Sequence, residues 1–279
     1  MSLRILVHNV GHGLAVHLFT PNEQTIVVDL GASADHSPLA WLHQQTNEID
    51  LLVVTHPHGD HISEINLVQN FSVRQFHRPK WLTRDEILAA NQASYAPTID
   101  TYLSLSDGFP EPILDHDRVG NPSVSGGVSL SVFYSSACDR TNINNHSAVL
   151  VVEYLGVRVV VPGDNEAESW QELLHNPEFV QATQGAAVFV ASHHGRQNGF
   201  SEPLFDLITP QICIVSDGRV QSTDARARYA AHASGWPVVH RSTGAVENRH
   251  CVTTRSDGWI DVKIGAGGPP LLPLSIVCA

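Results

Sequence analysis

The sequence predicts a mixed α/β domain, and three observations lead to that fold class. Apolar runs of strand length recur and end at glycine, aspartate or a polar loop, as residues 51–54 do. Helix start signals lie between these runs, for example Ser37 followed by Pro38. Of the 279 residues, 42% are hydrophobic, which is enough for a sizeable core in one large domain or two small ones.

The predicted elements are short throughout the chain. Residues 3–10, 13–20 and 24–30 form a meander of strands with turn glycines. A helix is predicted over 37–46, and a buried strand over 49–55 leads into a short helix over 62–70. Further along, strands over 148–154 and 157–161 are joined at Gly156 as a tight hairpin.

Charge and composition narrow the possible partners. Sixteen lysines and arginines stand against 28 aspartates and glutamates, which gives a formal net charge of -12. Binding to a nucleic-acid backbone depends on many cationic contacts, so this balance disfavours nucleic acid, although bound metal ions would add positive charge. The four cysteines show no C-x-x-C spacing, and the sequence has neither a signal-peptide pattern nor an apolar span of bilayer length. These features predict a cytoplasmic protein that does not bind a membrane.

A dense group of metal-binding side chains directly follows the buried strand over 49–55. His56, His58, Asp60 and His61 lie within six residues. An extended His-x-His pair points both imidazoles to one side, because side chains two apart on a strand share a face. Gly59 permits a turn after which Asp60 and His61 face a second point nearby. Histidine is common here, 17 of 279 residues, so a His-x-His pair alone means little, but the full pattern predicts two neighbouring metal ions.

The stretch from Thr55 to His61 resembles the signature of the metallo-β-lactamase superfamily of hydrolases. The resemblance implies a four-layer αββα sandwich, with two mixed sheets flanked by helices and the metals at one edge of the sheets. It also implies donors later in the chain. His146, before the predicted hairpin, and Asp164, in the Gly-Asp after it, match the family's third histidine and bridging aspartate.

His193-His194-Gly195 follows a predicted strand where the family has its last histidine, and either imidazole can be the ligand. His193 is the preferred ligand, and His194 is the group that contacts substrate or acts as an acid. Asp60 and His194 are the predicted catalytic side chains. Asp29 resembles the aspartate that orders the ligand loop and is not counted as a ligand.

The resemblance implies a site for two divalent metal ions with a water-derived hydroxide between them. Zn²⁺ is preferred because the ligands are rich in nitrogen, and Mn²⁺ or Fe are the alternatives. The predicted ligands are His56, His58 and His146 for one ion, Asp60, His61 and His193 for the other, and Asp164 between the two.

Three segments resemble one branch of the superfamily, the ComEC-like domain of DNA-uptake competence proteins: Val10-Gly11-His12-Gly13, His193-His194-Gly195 and residues 200–218. That branch usually has glutamine and an acid where this chain has His12 and Leu14. His12 is therefore either a substrate-facing residue at the rim or a surface loop histidine. The Tyr-Gly-His-Pro of the branch is replaced here by residues 221–224, and His146 departs from the branch towards the full ligand set.

Three functions compete for such a site. The preferred one is a phosphodiesterase or nuclease acting on nucleic acid or a nucleotide, and a small nucleotide would ease the objection from charge. The second is a hydrolase of carboxylic esters, lactones or thioesters, and the third is a non-catalytic binding protein, against which the complete ligand set argues. Arg140, Arg196 or Arg219 near the metals would favour phosphate, whereas an apolar pocket would favour an acyl group.

Residues 1–264 are predicted to form the hydrolase domain, and residues 265–279 a loosely attached tail rich in glycine and proline. In the superfamily, substrate-shaping insertions fall in the region of residues 84–127, which predicts a lid there. Tyr95, Tyr102 and Phe109 are its candidate substrate contacts, and packing is the expected role for at least two of them.

Overall fold

A computed structural model of the chain describes residues 1–109, 112–219, 221–265 and 273–279. Within these residues the strands, in chain order, are β1 (Ser2–Val7), β2 (Val16–Phe19), β3 (Thr25–Val28), β4 (Glu48–Ile49), β5 (Leu51–Val53), β6 (Ser72–Val73), β7 (Phe76–His77), β8 (Ser129–Phe133), β9 (Val149–Tyr154), β10 (Val157–Val161), β11 (Val188–Val190), β12 (Ile212–Val215), β13 (Trp236–His240), β14 (Val246–Arg249), β15 (Cys251–Thr253), β16 (Ile260–Gly265) and β17 (Leu274–Cys278). The helices are α1 (Pro38–His43), α2 (Arg84–Ala89), α3 (Ala96–Asp107), α4 (Ala167–Leu174), α5 (Pro177–Thr183), α6 (Glu202–Ile208), α7 (Arg226–Ala231) and α8 (Thr254–Asp257).

The strands form two large mixed sheets. The first has the order β14-β13-β17-β16-β1-β2-β3-β5-β7, the second has the order β15-β12-β11-β10-β9-β8, and β4 pairs with β6 in a short ribbon. Strands β3, β5 and β7 run parallel, as do β10, β11, β12 and β15. Parallel neighbours end at the same edge of a sheet, so the loops after these strands gather side chains from distant parts of the sequence.

The two sheets pack face to face, and helices cover their outer faces. In β9, Leu150 and Val152 belong to the core between the sheets, whereas Val149 and Val151 pack with buried side chains of α4 to α7. This alternation follows from the period of two along a strand. Val27 and Leu52 of the first sheet pack in the same way with α1, α2 and α3. The predicted four-layer αββα sandwich is therefore confirmed.

Local signals behave as the sequence predicts. The Ser37 hydroxyl caps α1 by accepting a hydrogen bond from the Ala40 N–H at 3.1 Å, and Pro38 occupies its first turn. Strands β9 and β10 pair antiparallel with Tyr154 opposite Val157. Leu155 and Gly156 between them both have positive φ, as a two-residue turn that matches the strand twist requires. The helix predicted over 62–70 is a 3₁₀ helix over Ile65–Asn70.

The described part of the C-terminal tail corrects the prediction that residues 265–279 are loosely attached. Strand β17 lies inside the first sheet, antiparallel to β16 and parallel to β13. Leu274, Ile276 and Cys278 alternate into the core between the sheets, which explains why this segment is held. Residues 266–272, which contain the two glycines before two prolines, lie outside the described residues. The domain boundary at residue 264 stays a prediction.

The region predicted as a lid contains helices α2 and α3 packed against the first sheet. Tyr102 is fully buried there, and Phe109 packs in the same core, so these two aromatic residues have packing roles. Tyr95 is half-buried and lies against Gly59 of the metal loop, which comprises residues 55–61. No helix within the described residues has both the length and the apolar character to span a bilayer.

Candidate metal centre

The predicted donors converge at one edge of the sandwich because each lies in a loop next to one end of a strand. Residues 55–61 follow β5, and Asp164 follows β10. His193 and His194 lie on a 3₁₀ turn directly after β11, and His146 ends the 3₁₀ helix that precedes β9. The first of these loops comes from one sheet and the others come from the second, so the site is built between the two sheets.

Asp29 fixes the first donor loop, as predicted. Its carboxylate accepts hydrogen bonds from the Thr55 N–H and the Thr55 hydroxyl, each at 2.7 Å. It also accepts one from the His61 Nδ1–H at 2.7 Å, so the His61 Nε2 lone pair faces the site. Asp29 has a φ of 58°, a left-handed conformation that aspartate and asparagine adopt more readily than most residues.

Asp164 Oδ2 lies at the centre of one group of imidazole nitrogens. His194 Nε2 is 3.2 Å away and His61 Nε2 is 3.3 Å away. His56 Nε2 and His193 Nε2 are each 3.9 Å away. A carboxylate surrounded by imidazoles can bind two cations at once, because it has two oxygens with several lone pairs.

Asp60 Oδ2 lies at the centre of a second group. His194 Nε2 and His12 Nε2 are each 3.3 Å from it, and His61 Nε2 is 4.0 Å away. Ligand atoms of His12, Asp60 and His194 all lie within 4.8 Å of one another, and the same holds for His56, His61 and Asp164. The structure therefore offers two adjacent groups of possible donors, although their members differ from the predicted sets: His61 lies with His56 and Asp164, and His12 lies with Asp60.

His58 lies beside the first group, with its Nδ1 2.9 Å from His56 Nε2. Asn91, at the end of α2, holds this loop from outside: its side chain donates to the Pro57 carbonyl at 3.0 Å and accepts from the Gly59 N–H at 2.8 Å. Nothing in the sequence indicated Asn91, because it comes from a distant helix and belongs to no motif.

His146 is fully buried, and its Nε2 has no hydrogen-bond partner among the described residues. On the other side of the ring, Nδ1 accepts a hydrogen bond from the Trp81 indole N–H at 3.1 Å and lies 3.2 Å from the Ser135 carbonyl. Metal binding at Nε2 would put the ring proton on Nδ1, where the Ser135 carbonyl can accept it. It would also supply the partner that the buried Nε2 lacks. Trp81 is a second contact that no sequence motif revealed.

His193 and His194 have exchanged the roles that the sequence suggested. His194 is buried, lies within 3.3 Å of both central carboxylates, and its Nδ1 is 3.1 Å from the Ser216 carbonyl. His193 is further out and faces Glu166 Oε1 at 3.2 Å. Both residues have positive φ, 49° and 53°, so the alternation expected on a strand does not apply to them. This geometry favours His194 as the ligand and His193 as its neighbour at the rim.

The protonation of the site suits cations. Burial alone would raise the pKa of Asp164, but the His194 and His61 imidazoles hold it well below its ordinary value. Burial would likewise raise the pKa of Asp60, but His61 and His194 hold it far below its usual range. Burial lowers the pKa of His56 and of His58, which keeps their lone pairs available. Burial would lower the pKa of His61 and of His194, but the Asp164 carboxylate raises both, that of His194 to about 9. These two protonated imidazoles balance the carboxylates, and bound cations would take the place of those protons. Two ionised carboxylates, the neutral imidazoles of His56 and His58 and the orphaned Nε2 of His146 fit divalent metal ions.

The mouth above the donors is a cavity of about 220 Å³ with polar walls, lined by His12, His58, Gly59, Asp60, Ala90, Asn91, Gln92 and Tyr95. Of the three arginines considered from sequence, Arg196 is near enough to His12 to lower its pKa, after burial and His194. Arg140 donates to the Trp81 carbonyl at 3.1 Å and faces Glu86. Arg219 is exposed.

A second cavity, of about 530 Å³, lies beside the loop that carries His12. Gly11 of that loop lines it, together with Trp41, Trp259 and Arg255. The two indole rings meet edge to face with their centroids 6.2 Å apart. This volume is within the range of small-molecule sites.

Comparisons with known proteins find a family model and two curated relatives that this chain resembles. The family model of the metallo-beta-lactamase superfamily matches residues 13–132, a range that includes His56 to His61 but ends before His146. Over 236 residues the chain is 22% identical to ComE operon protein 3 of Bacillus subtilis, and the aligned region covers 76% of this chain and 28% of that protein. Over 246 residues it is 24% identical to Recombination protein 2 of Haemophilus influenzae, covering 86% and 27%.

The chain thus spans about a quarter of the length of these two curated relatives. Among solved structures, it is similar to CmlA, a diiron β-hydroxylase from Streptomyces venezuelae, with a TM-score of 0.46 and 12% identity over 79% of this chain and 47% of that one.

Proposed function

We propose that this chain is a metal-dependent hydrolase of the metallo-β-lactamase superfamily, similar to its ComEC-like branch, and that it cleaves the phosphodiester bond of a nucleotide or a nucleic acid. The observation that carries the proposal is the pair of adjacent donor groups centred on Asp60 and Asp164. Two divalent ions in such a site lower the pKa of water and neutralise charge that grows on phosphoryl oxygens.

The chain's own residues hold and orient this centre. The proposed ligands are His56, His58 and His146 for one ion, Asp60, His61 and His194 for the other, and Asp164 between them. Asp29 orients His61, and Asn91 fixes the loop between the two groups. Asp60 and His58 line the mouth, so they are the proposed ligands closest to a bound substrate, and the buried His194 lies 3.3 Å behind the Asp60 carboxylate.

The walls of the mouth support a phosphate over an acyl group. They are polar, and an acyl group would be expected to need an apolar pocket there. Arg196 supplies positive charge near His12, and its guanidinium donates to the Thr223 hydroxyl at 3.0 Å. The second candidate, a hydrolase of carboxylic esters, lactones or thioesters, would use the same metals, but the described residues at the mouth do not form an apolar pocket for an acyl group.

The neighbouring cavity supports a nucleotide. Trp41 and Trp259 present indole rings beside the loop that carries His12, and nucleobases stack on such rings with about 1–3 kcal/mol per base. A mononucleotide or dinucleotide also carries few phosphates, so the net charge of -12 opposes its approach less than that of a long polynucleotide.

Metal content and hydrolysis of bis(p-nitrophenyl) phosphate test this proposal together. The wild type is compared with Asp164→Ala and with Asp206→Asn, an exposed position on α6. We expect about two ions per wild-type chain, and in Asp164→Ala a loss of phosphodiesterase activity of roughly 100-fold or more. Cleavage of p-nitrophenyl acetate or a lactone without cleavage of the phosphodiester would favour the second candidate. A wild type that binds no metal would refute both.

A further inference from the structure

We propose that His12 is an additional protein ligand of the metal ion held by Asp60 and His194. His12 belongs to none of the donor positions that the family resemblance supplies, and the related branch usually has glutamine there. The proposal rests on the metal binding described above but is independent of the substrate.

The distances place His12 among the donors. Its Nε2 is 3.3 Å from Asp60 Oδ2, the same distance that separates His194 Nε2 from that oxygen. The His12 and His194 rings are tilted against each other with centroids 4.5 Å apart. One ligand atom from each of the three residues lies within 4.8 Å of the others. Donors on opposite sides of one ion are about 4.2 Å apart, so these atoms need to move by only a few tenths of an ångström.

The backbone holds His12 in this place from both sides. Gly11 and Gly13 have φ of 69° and 124°, conformations that favour glycine. A Cβ on Gly13 would lie 2.5 Å from the Asp60 carbonyl oxygen, so the loop rests directly on the metal loop. A Cβ on Gly218 would lie 2.9 Å from Gly11 Cα and 3.1 Å from the His12 nitrogen.

A hydrogen bond fixes the same loop to the second sheet: the Ser216 hydroxyl donates to the Gly13 carbonyl at 2.8 Å. Ser216 also provides, through its own carbonyl, the contact of His194 Nδ1 at 3.1 Å. One residue therefore positions both imidazoles that flank Asp60. An exposed loop histidine without a role would not need a backbone held this closely, and such support is what a ligand requires.

His12 changes the kind of ion that the second group prefers. Asp60, His61, His194 and Asp164 already offer four donors around this position. A fifth donor exceeds the tetrahedral set typical of structural zinc and suits an ion with five or six ligands, such as Mn²⁺, Fe²⁺ or zinc in an expanded geometry.

The test measures metal binding by the whole chain in four forms: wild type, His12→Gln, His12→Ala and the control His43→Gln, which changes an exposed histidine on α1. Elemental analysis gives ions per chain, competition with a chelator gives the two affinities, and the visible spectrum of the Co²⁺-loaded protein reports the number of ligands. His12 is exposed, so neither substitution threatens folding, and urea unfolding of the metal-free forms checks this.

We expect both variants to keep one ion at wild-type affinity and to bind the other roughly 10-fold or more weakly, with alanine worse than glutamine. The Co²⁺ spectrum should become more intense, as it does when the ligand number falls. Two ions bound at wild-type affinity with an unchanged spectrum would overturn the proposal, even if turnover fell, because His12 would then contact only substrate. A wild type without metal would refute the proposed function as well, so the two failures are distinguishable.

Discussion

Replacing Asp29 by asparagine isolates the charge that orients His61. Asparagine has the same size and also tolerates the left-handed conformation that Asp29 has, with φ of 58°. With its side-chain oxygen in the position of Oδ1, asparagine still accepts from the Thr55 N–H, and the Thr55 hydroxyl can turn to accept from the NH₂ group that replaces Oδ2. Its NH₂ group, however, would face the His61 Nδ1–H, which now donates to the carboxylate at 2.7 Å.

Two consequences follow, with separate magnitudes. Of three hydrogen bonds to a buried carboxylate, one is lost, and hydrogen bonds to charged groups contribute about 1.5–3 kcal/mol each. To accept from asparagine, His61 must move its proton to Nε2, the atom that faces the metal site. Loss of such an orienting partner typically weakens metal binding by about 10–100-fold, or about 1.4–2.7 kcal/mol.

Urea unfolding of the metal-free protein measures the first effect, and chelator competition measures the second. Asp206→Asn is the control, since it removes a carboxylate from an exposed position on α6. If Asp29→Asn bound both ions with wild-type affinity, the inference that Asp29 sets the His61 tautomer would be wrong. A loss of stability without a loss of affinity would show that Asp29 acts only on the fold.

Three further predictions concern the scaffold. Gly163 and Gly185 have φ of 60° and 68°, but a Cβ on Gly163 would lie 2.8 Å from Thr55 Cβ, whereas a Cβ on Gly185 would face open space. Urea unfolding should therefore show that Gly185→Ala lowers the free energy of unfolding by about 1–2 kcal/mol and Gly163→Ala by about 1–3 kcal/mol more. Equal losses would contradict the clash. Ile276→Ala should lower the free energy of unfolding by about 2–5 kcal/mol because Ile276 is buried between the sheets, while Ser275→Ala on the neighbouring face should change it little. Equal small losses would mean that β17 is not paired in the first sheet in solution. Burial, then repulsion by neighbouring histidines, lowers the pKa of His8 to about 2 and of His17 to about 3, below the 6.5 of the unfolded chain. The unfolded state therefore binds more protons below pH 6.5, and each histidine lowers the free energy of unfolding by up to about 1.4 kcal/mol per pH unit. That free energy should fall more steeply with decreasing pH in wild type than in His17→Leu, whereas parallel pH profiles would refute this.

The donors that the sequence revealed are those that local chemistry determines. His56, His58, Asp60 and His61 follow one strand within six residues, so their spacing alone indicates a site. The Asp29 contact, the β9–β10 hairpin and the cap of α1 likewise depend on patterns that the sequence carries within a few residues or that the family resemblance supplies.

The remaining features depend on which strands become neighbours. Asn91 and Trp81 reach the site from segments that no short motif connects to it, and the motif around His12 indicated a residue at the rim and not a donor. His194 replaces His193 as the inner imidazole because both lie on a left-handed turn and not on the preceding strand. The glycines and prolines before strand β17 led to the wrong prediction of a loose tail, although Leu274, Ile276 and Cys278 alternate as strand residues do.

Two departures from the ComEC-like pattern lie near the candidate metal centre. His12 lines the mouth. Residues 221–224, which replace Tyr-Gly-His-Pro, pair with the turn after His194: the Gln197 N–H donates to the Thr223 carbonyl at 2.7 Å, and the backbones of Arg196 and Asp224 form an isolated β-bridge. The two groups of candidate donors remain together beside them. Buried imidazoles and carboxylates are costly without partners, and bound cations would offset that cost. Under the proposed function, the net charge of -12 favours a substrate with few phosphates.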